Sequence, residues 1–201
     1  MSTGLIVSIS GPSGVGKGTV IDRLREVLPG CGHSISVTSR APRGQEQDGV
    51  EYFFRTKEEF EKLIAEGEII EYDQYVGNYY GTPLTPLLKM SKSGTNVLLD
   101  LTVAGSLALK EKFDDTVTIF LLPPSMDELR SRLSGRGTET EELVDKRMAQ
   151  AKGEIAQAEK FDYVVTNRTV EQAVEEIAAI MKAENRRFRR SRDAVETLLA
   201  Q

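Results

Sequence analysis

Residues 8–19 read "SISGPSGVGKGT" and emerge from the apolar run "GLIVSI" (4–9). Gly11, Gly16 and Lys17 stand at the GxxxxGK spacing, after a predicted strand and before a predicted helix. Glycines let the backbone curl until successive N–H groups point inward at phosphate oxygens. The N-terminus of the following helix adds its positive dipole end, and the lysine reaches further along a phosphate chain. The segment Gly11, Pro12, Ser13, Gly14, Val15, Gly16, Lys17, Gly18 and Thr19 is therefore the candidate cradle for the phosphates of ATP.

Gly18 stands where a hydroxyl ligand for Mg²⁺ commonly follows the lysine, and Thr19 comes one position later. Two roles stay open for Thr19, a bond to a phosphate oxygen or a place beside a metal held mainly through waters and ATP. Asp100 ends the apolar run "NVLL", where a carboxylate at the end of a core strand can hold Mg²⁺ or its waters. The alternative is a helix or turn cap.

Outward from the glycine turn, "LIVSIS" (5–10), "NVLLDLTV" (96–103), "TVTIFLLPP" (116–124) and "YVVTN" (163–167) are short apolar runs separated by amphipathic stretches. That alternation predicts an α/β core with a buried parallel sheet and helices on both faces. Val20, Leu24, Val27 and Leu28 form one helical stripe that Leu28-Pro29-Gly30 stops. Ser125 N-caps "SMDELRSRL"; a longer helix is predicted at about 140–159, and another fills most of the stretch after Val170.

Between 34 and 93 the pattern changes. "SISVTSR", "EYFFR" and "GEIIEYDQYVGNYYG" read as small antiparallel strands around the helix "KEEFEKLIAEG", and four of the six tyrosines fall within 72–80. The expected organisation is one domain over 1–201: a core of about 1–33, 94–125 and 160–201, a small mixed α/β insertion of about 34–93, and a mobile helical lid of about 126–159.

In that insertion Arg40 and Arg43 lie three apart and Tyr80 ends "GNYY". Two guanidinium forks and tyrosine hydroxyls converging on one lobe can hold a dianionic phosphate. Glu71 can accept from the N–H donors of a base, a preference for guanine over adenine, which lacks that donor pair. Taken singly, the arginines also read as surface residues and the tyrosines as packing.

Composition bounds the rest. Hydrophobic residues are 39% and charged residues 28% of 201, with a formal net charge of −5, which argues against general nucleic-acid or membrane-surface binding. One cysteine, Cys31, excludes an internal disulfide and is read as an incidental loop thiol. His33 is read as a loop or surface residue, and the basic run "RRFRRSRD" (186–193) as a solvated helix face. The N-terminus has no basic start or long apolar segment, so the expectation is a cytoplasmic protein.

With these motifs in order, the sequence resembles the guanylate kinases over about residues 5–183. The carrying segments are "SGPSGVGKGT", "SVTSRAPR" with "EQDGVEYFF", "GEIIEYDQYVGNYYGT", "IFLLPPS" with "RLSGRGTETEE", and "FDYVVTN". The resemblance implies a P-loop three-layer fold that phosphorylates GMP, and dGMP, with Mg²⁺ and ATP in purine nucleotide metabolism. It implies a GMP phosphate clamp of Arg40, Arg43, Tyr52 and Tyr80, and guanine readers Ser36, Glu71 and Thr82. Arg132, Arg136 and Arg147 correspond to lid-side arginines around the transferring phosphoryl group, and Arg136 and Asn167 to positions beside adenine.

Departures accompany it. Where the family commonly reads "DIDxQG", this chain has "DLTVAG", so Thr102 replaces a guanine-reading acid and Ala104 a glutamine; "PRGQEQDG" lacks the usual glycine, and "GKGT" replaces "GKST". The rival expectations are a related P-loop kinase with altered monophosphate specificity and a non-catalytic guanylate-kinase-like binding domain. Self-association is left open.

Overall fold

The computed structural model describes residues 3–75, 77–135 and 140–201. Its centre is a five-stranded sheet of β1 (Ile6–Ser10), β2 (Cys31–His33), β7 (Asn96–Asp100), β8 (Val117–Leu122) and β9 (Tyr163–Thr166), in the order β2-β7-β1-β8-β9. Every pairing in it is parallel. Parallel neighbours need crossover connections, and helices α1 (Lys17–Val27), α3 (Leu84–Lys92), α4 (Val103–Lys112) and α7 (Val170–Glu184) cover the two faces.

Alternation along the strands explains why the runs are apolar throughout. Val7, Ile9, Leu98, Ile119 and Leu121 point into a core shared with Val20 and Leu24 of α1 and Ile177 of α7. Ile6, Val97 and Leu99 point the other way, onto Leu87 of α3 and Leu109 of α4. Both faces are buried, so neither parity tolerates charge. Because β1 is flanked by β7 and β8, the connections leave it in opposite directions, and the segment just after it opens a crevice at the carboxyl ends of the strands.

Cys31 and His33 lie in edge strand β2, not in a loop, paired with Asn96 and Leu98. The strand is three residues long and half-buried, so it carries no apolar run to announce it.

The insertion folds on a second sheet of β3 (Val37–Thr38), β4 (Phe53–Phe54), β5 (Ile69–Tyr75) and β6 (Asn78–Pro83), in the order β4-β3-β6-β5. β5 and β6 are antiparallel as expected, and so are β3 and β6. β3 and β4 instead pair in parallel, Val37 with Phe53 and Thr38 with Phe54. The reason is the segment 39–52, which carries the chain back to the start of β3 before it pairs, where an antiparallel neighbour would need only a tight reversal. Helix α2 (Lys57–Ala65) starts from a Thr56/Glu59 capping box and stacks Phe60 on Tyr79 at 5.0 Å.

Helices α5 (Met126–Ser134) and α6 (Glu141–Ile155) pack through Leu129, Leu133, Val144 and Ala151. The predicted helix ends at Ile155, and Ala158–Lys160 form a separate 3₁₀ turn. The stretch after Val170 is two helices, α7 and α8 (Phe188–Leu199). The basic run at the start of α8 is not simply solvated: the Arg190 side chain is 7% exposed, pairs with Asp115 and donates to the Thr3 carbonyl, while Arg189 meets Asp115 at 2.8 Å.

Candidate functional site

The glycine turn joins β1 to α1. Thr56, Thr102, Ser125, Thr140 and Thr169 cap α2, α4, α5, α6 and α7 with their side-chain oxygens, whereas the N-cap of α1 is Gly16, with no side-chain cap. The first-turn N–H groups of α1, which have no acceptor within the helix, are thereby left for an anion. Gly16 has φ 99°, and a Cβ there would stand 2.8 Å from Asn167 Nδ2, so both conformation and close approach require glycine.

Lys17 is the first residue of α1. Its Nζ curls back over the turn, donates to the Gly11 carbonyl at 3.0 Å and stands 4.0 Å from Asp100 Oδ1 at the end of β7. Enclosure by protein pushes the Asp100 pKa upward, and the Lys17 ammonium opposes that shift.

Asn167, buried just after β9, donates through Nδ2 to the Val15 carbonyl at 2.8 Å. Arg132 Nη1 reaches the same carbonyl at 3.3 Å, and its Nη2 reaches the Asn167 carbonyl at 3.4 Å. From α6, Arg147 Nη2 donates to Ser13 Oγ at 2.6 Å. Two cationic side chains thus border the turn from the α5–α6 hairpin. Gly14, Gly16, Thr19, Arg132 and Asn167 line one cavity of about 290 Å³. Arg136 lies outside the described residues.

A second cavity, of about 320 Å³, lies between the core sheet and the insertion, with Ser36, Tyr52, Thr82 and Asp100 in its wall. His33 and Ser34 also line it and were missed in the sequence. Ser34 is 5% exposed with a hydroxyl that has no protein partner, a signal visible only in three dimensions. Burial and the charge of Arg25 hold His33 below the usual imidazole range. Asp100 lines this cavity and Thr19 the one beside the glycine turn.

Beside this cavity Arg40, 8% exposed, lies over the Tyr52 ring at 5.4 Å, and Tyr52 meets Tyr80 edge-on at 6.0 Å. Arg43 sits on an exposed turn. Glu71 on β5 is half-buried and accepts from Thr82 Oγ1 at 2.7 Å. Desolvation raises its pKa, against the lowering effect of the Thr82 bond. Its other oxygen lies against the first turn of α4: a Cβ on Gly105 would stand 2.7 Å from Oε2. Thr102, the N-cap of α4, accepts from Gly105 N at 3.1 Å and keeps its hydroxyl proton as a donor. Glu71, Thr82 and Thr102 are therefore gathered around one backbone glycine.

The arrangement offers an anion cradle with a lysine on one side of Asp100 and, on the other, a cavity lined by the hydroxyls of Ser34, Ser36, Tyr52 and Thr82 and by Glu51, with Arg40 beside Tyr52 and Glu71 bonded to Thr82. Among the described residues no group of three or more His, Cys, Asp or Glu side chains could hold a metal ion, and no helix is long and apolar enough to cross a membrane.

Known proteins resemble this chain along most of its length. Residues 3–184 match the guanylate kinase family model. The guanylate kinase of Halalkalibacterium halodurans is 51% identical over 182 residues, covering 90% of this chain and 89% of the relative. That of Streptococcus pneumoniae is 48% identical over 186 residues, covering 90% and 88%. The crystal structure of guanylate kinase from Anaplasma phagocytophilum superposes with a TM-score of 0.73 at 36% identity, over 92% of this chain and 88% of that one. The chain belongs to the guanylate kinase family.

Proposed function

We propose that this chain transfers the γ-phosphoryl group of ATP to the phosphate of GMP or dGMP, releasing ADP and GDP or dGDP, with each residue in the role that its position supports. One observation carries the reading: Asp100, 4.0 Å from Lys17 of the phosphate turn, is also a wall of the cavity that holds Ser36, Tyr52 and Thr82. Donor and acceptor sites that share a wall can bring two phosphates into line.

An oxygen of the GMP phosphate attacks the γ-phosphorus while the bond to the β–γ bridging oxygen breaks and ADP leaves. The nucleophile is already anionic, so positioning and charge stabilisation suffice. Lys17 and the amides of residues 11–19 hold the β and γ phosphates, and Arg132 and Arg147, with Arg136, offset charge on the moving group. Arg40, Arg43, Tyr52 and Tyr80 hold the acceptor phosphate, while Glu71, Thr82, Ser36 and Thr102 meet the base. Asn167 fixes the turn beside the nucleoside of ATP.

Magnesium belongs to this scheme as part of the substrate MgATP. One carboxylate beside a lysine fits a cation that arrives on phosphates and keeps several waters, rather than a cage built by the protein. Asp100 orients those waters. The phosphate-binding core of about 1–33, 94–125 and 160–201 carries ATP, the lobe of about 34–93 carries GMP, and the hairpin of about 126–159 brings the arginines. A cytoplasmic location suits a nucleotide-metabolising chain with one cysteine, and the net charge of −5 suits small nucleotide ligands rather than nucleic acid.

The test is ADP formation from MgATP with GMP, dGMP, AMP, CMP and UMP offered separately, beside a control without acceptor. GMP and dGMP are expected to support turnover and the others not; equal turnover with AMP, or ADP release without any acceptor, overturns the reading. A local check uses Gly105→Ala. Its Cβ would press on Glu71 Oε2, Cδ and Cγ at 2.7–2.9 Å, so Glu71 must shift. A rise of about tenfold in KM for GMP is expected, with kcat much less affected, since ångström-scale misplacement is costly. An unchanged KM would remove Glu71 from base binding.

A further inference from the structure

Glu46 lies outside every role assigned so far, on the segment between β3 and β4. Its Oε2 accepts from Arg40 Nη1 at 2.9 Å and its Oε1 from Arg40 Nη2 at 3.0 Å, a two-pronged ion pair. The same Oε2 accepts the Arg43 backbone N–H at 2.7 Å, while the Glu46 backbone N–H donates to the Arg43 carbonyl at 3.0 Å. One carboxylate therefore ties the guanidinium of one clamp arginine to the backbone of the other.

We propose that Glu46 is a positioning residue that holds Arg40 and the Arg43 turn in their phosphate-binding arrangement before GMP arrives. The proposal rests on the reading of Arg40 and Arg43 as the acceptor clamp. Three features support it.

A guanidinium stays charged at any physiological pH, and one that is 8% exposed needs a partner to remain out of water. Glu46 supplies that partner while no GMP is bound. Its own pKa is held below the usual carboxylate range, first by the Arg40 bond and then by the Arg43 N–H, so it stays ionised at neutral pH.

The ion pair also leaves donors to spare. Arg40 spends two bonds on Glu46 and one on the Ala41 carbonyl and also meets the Tyr80 hydroxyl, which does not exhaust the five donors of the guanidinium fork. The rings of Tyr52 and Phe54, 5.4 and 5.7 Å from Cζ, add cation–π contacts that favour the guanidinium at this position.

A third feature separates positioning from competition. A carboxylate that merely occupied the phosphate site would have to leave when GMP bound. The Glu46 carboxylate also accepts the Arg43 N–H, so its departure would leave the turn held only by the backbone bond from Glu46 N–H to the Arg43 carbonyl.

The two ideas differ in sign, which makes the Glu46→Gln variant decisive. By calorimetry with GMP, binding is expected to weaken by about 10–100-fold, as when one partner of a hydrogen-bonded charge pair is removed. Guanosine, which lacks the phosphate, should bind both proteins alike, and kcat at saturating GMP should stay within about threefold because the transferring group is not touched. In the double variant with Arg40→Ala, the loss should not exceed that of Arg40→Ala alone, since Glu46 acts through Arg40. Tighter or equal GMP binding by Glu46→Gln, or losses that add in full, overturn the proposal.

A ligand-free readout separates this from the reading of the site. In ¹⁵N spectra the Arg40 side-chain signals should be sharp and distinct in the wild type and averaged by rotation in Glu46→Gln. Identical signals in the two proteins overturn the proposal even if GMP binds. A wild type that binds no GMP overturns the site assignment instead, and the Arg40 signals still decide the part played by Glu46.

Discussion

Lys17→Met is expected to lower kcat about a thousandfold, in the range seen when one preorganised charge or donor is removed from a transition state. GMP binding should change by no more than about twofold, because the acceptor cavity is walled by Ser36, Tyr52, Thr82 and Asp100 and not by Lys17. Methionine matches the length of the lysine stem but carries no charge, so the loss reads the ammonium and not the packing. The ammonium sits 3.0 Å from the Gly11 carbonyl and 4.0 Å from Asp100, within reach of phosphates held in the turn. Steady-state kinetics with separate calorimetry for GMP checks the split. Turnover near the wild-type level would remove Lys17 from the mechanism.

The same variant makes a claim about pH. Asp100, with its side chain 40% exposed, has a pKa raised by partial enclosure that solvent moderates, and Lys17 restrains the shift. A carboxyl whose folded-state pKa is raised binds its proton more tightly in the native protein, so it costs stability as pH rises above its unfolded value. Without Lys17 the shift grows. The variant should therefore lose stability relative to the wild type on the neutral side, and the gap should close toward the ordinary carboxylate range.

What could be read in the sequence, and what could not, divides along a physical line. β1, β7 and β8 are buried on both faces over most of their length and edge strand β9 on one, so each appears as a short apolar run, and the runs at 5–10, 96–103, 116–124 and 163–167 enclose them. β2 is a half-buried edge strand reading Cys-Gly-His, and three residues with one small apolar side chain on the core leave too short a mark in hydropathy. The parallel pairing of β3 with β4 is likewise a property of the path of 39–52, not of the composition of either strand. Ser125 is legible as a cap because its partner, Glu128 N, is three residues away. Arg190 is not legible, because Asp115 is 75 positions distant and a basic run reads as surface until its partner is found.

The site follows the same rule. The glycine turn, Lys17 and the arginine pair are local patterns and stand out as such. Glu46, the unpartnered Ser34 hydroxyl and the contact of Gly105 with Glu71 arise only when separate segments meet. Thr102 shows how one residue divides between the two: its departure from the family pattern is visible in sequence, whereas its capping bond to Gly105 N is visible only in the fold. With one lone pair engaged there, Thr102 brings to a base one donor proton and one remaining lone pair, and no charge. On the proposed reading, Glu71 is the charged acceptor for the donor groups of guanine.

Glu71→Gln should consequently lower kcat/KM for GMP by about 10²–10³-fold, since a site built to pair specific donors is left with a mismatched group. Guanine presents an imide N–H and an amino N–H side by side, and a carboxylate can accept both while Oε1 also takes the Thr82 hydroxyl at 2.7 Å. An amide in the same place offers one oxygen and turns an N–H toward a donor. Adenine lacks the imide proton, so turnover with AMP should not fall in parallel, and the ratio of GMP to AMP is the quantity to measure.

The same substitution should raise stability in the absence of nucleotide. Burial raises the pKa of Glu71, so ionising it at neutral pH costs the folded state free energy. The folded protein holds that proton more tightly than the unfolded chain, and the cost is fully present above the raised pKa and vanishes below the ordinary one. Glutamine never incurs it. Thermal unfolding at pH 8 should show Glu71→Gln melting higher than the wild type, by about 2–4 °C for each kcal/mol relieved in a chain of this size. The difference should disappear as pH falls toward 4. On the same logic, wild-type kcat/KM for GMP should decline on the acid side at a pH above that of an ordinary glutamate, and the variant should lack this limb. A variant with full GMP turnover would show that Glu71 is not the base reader, and one melting no higher at pH 8 would show that Glu71 is not held ionised against its surroundings.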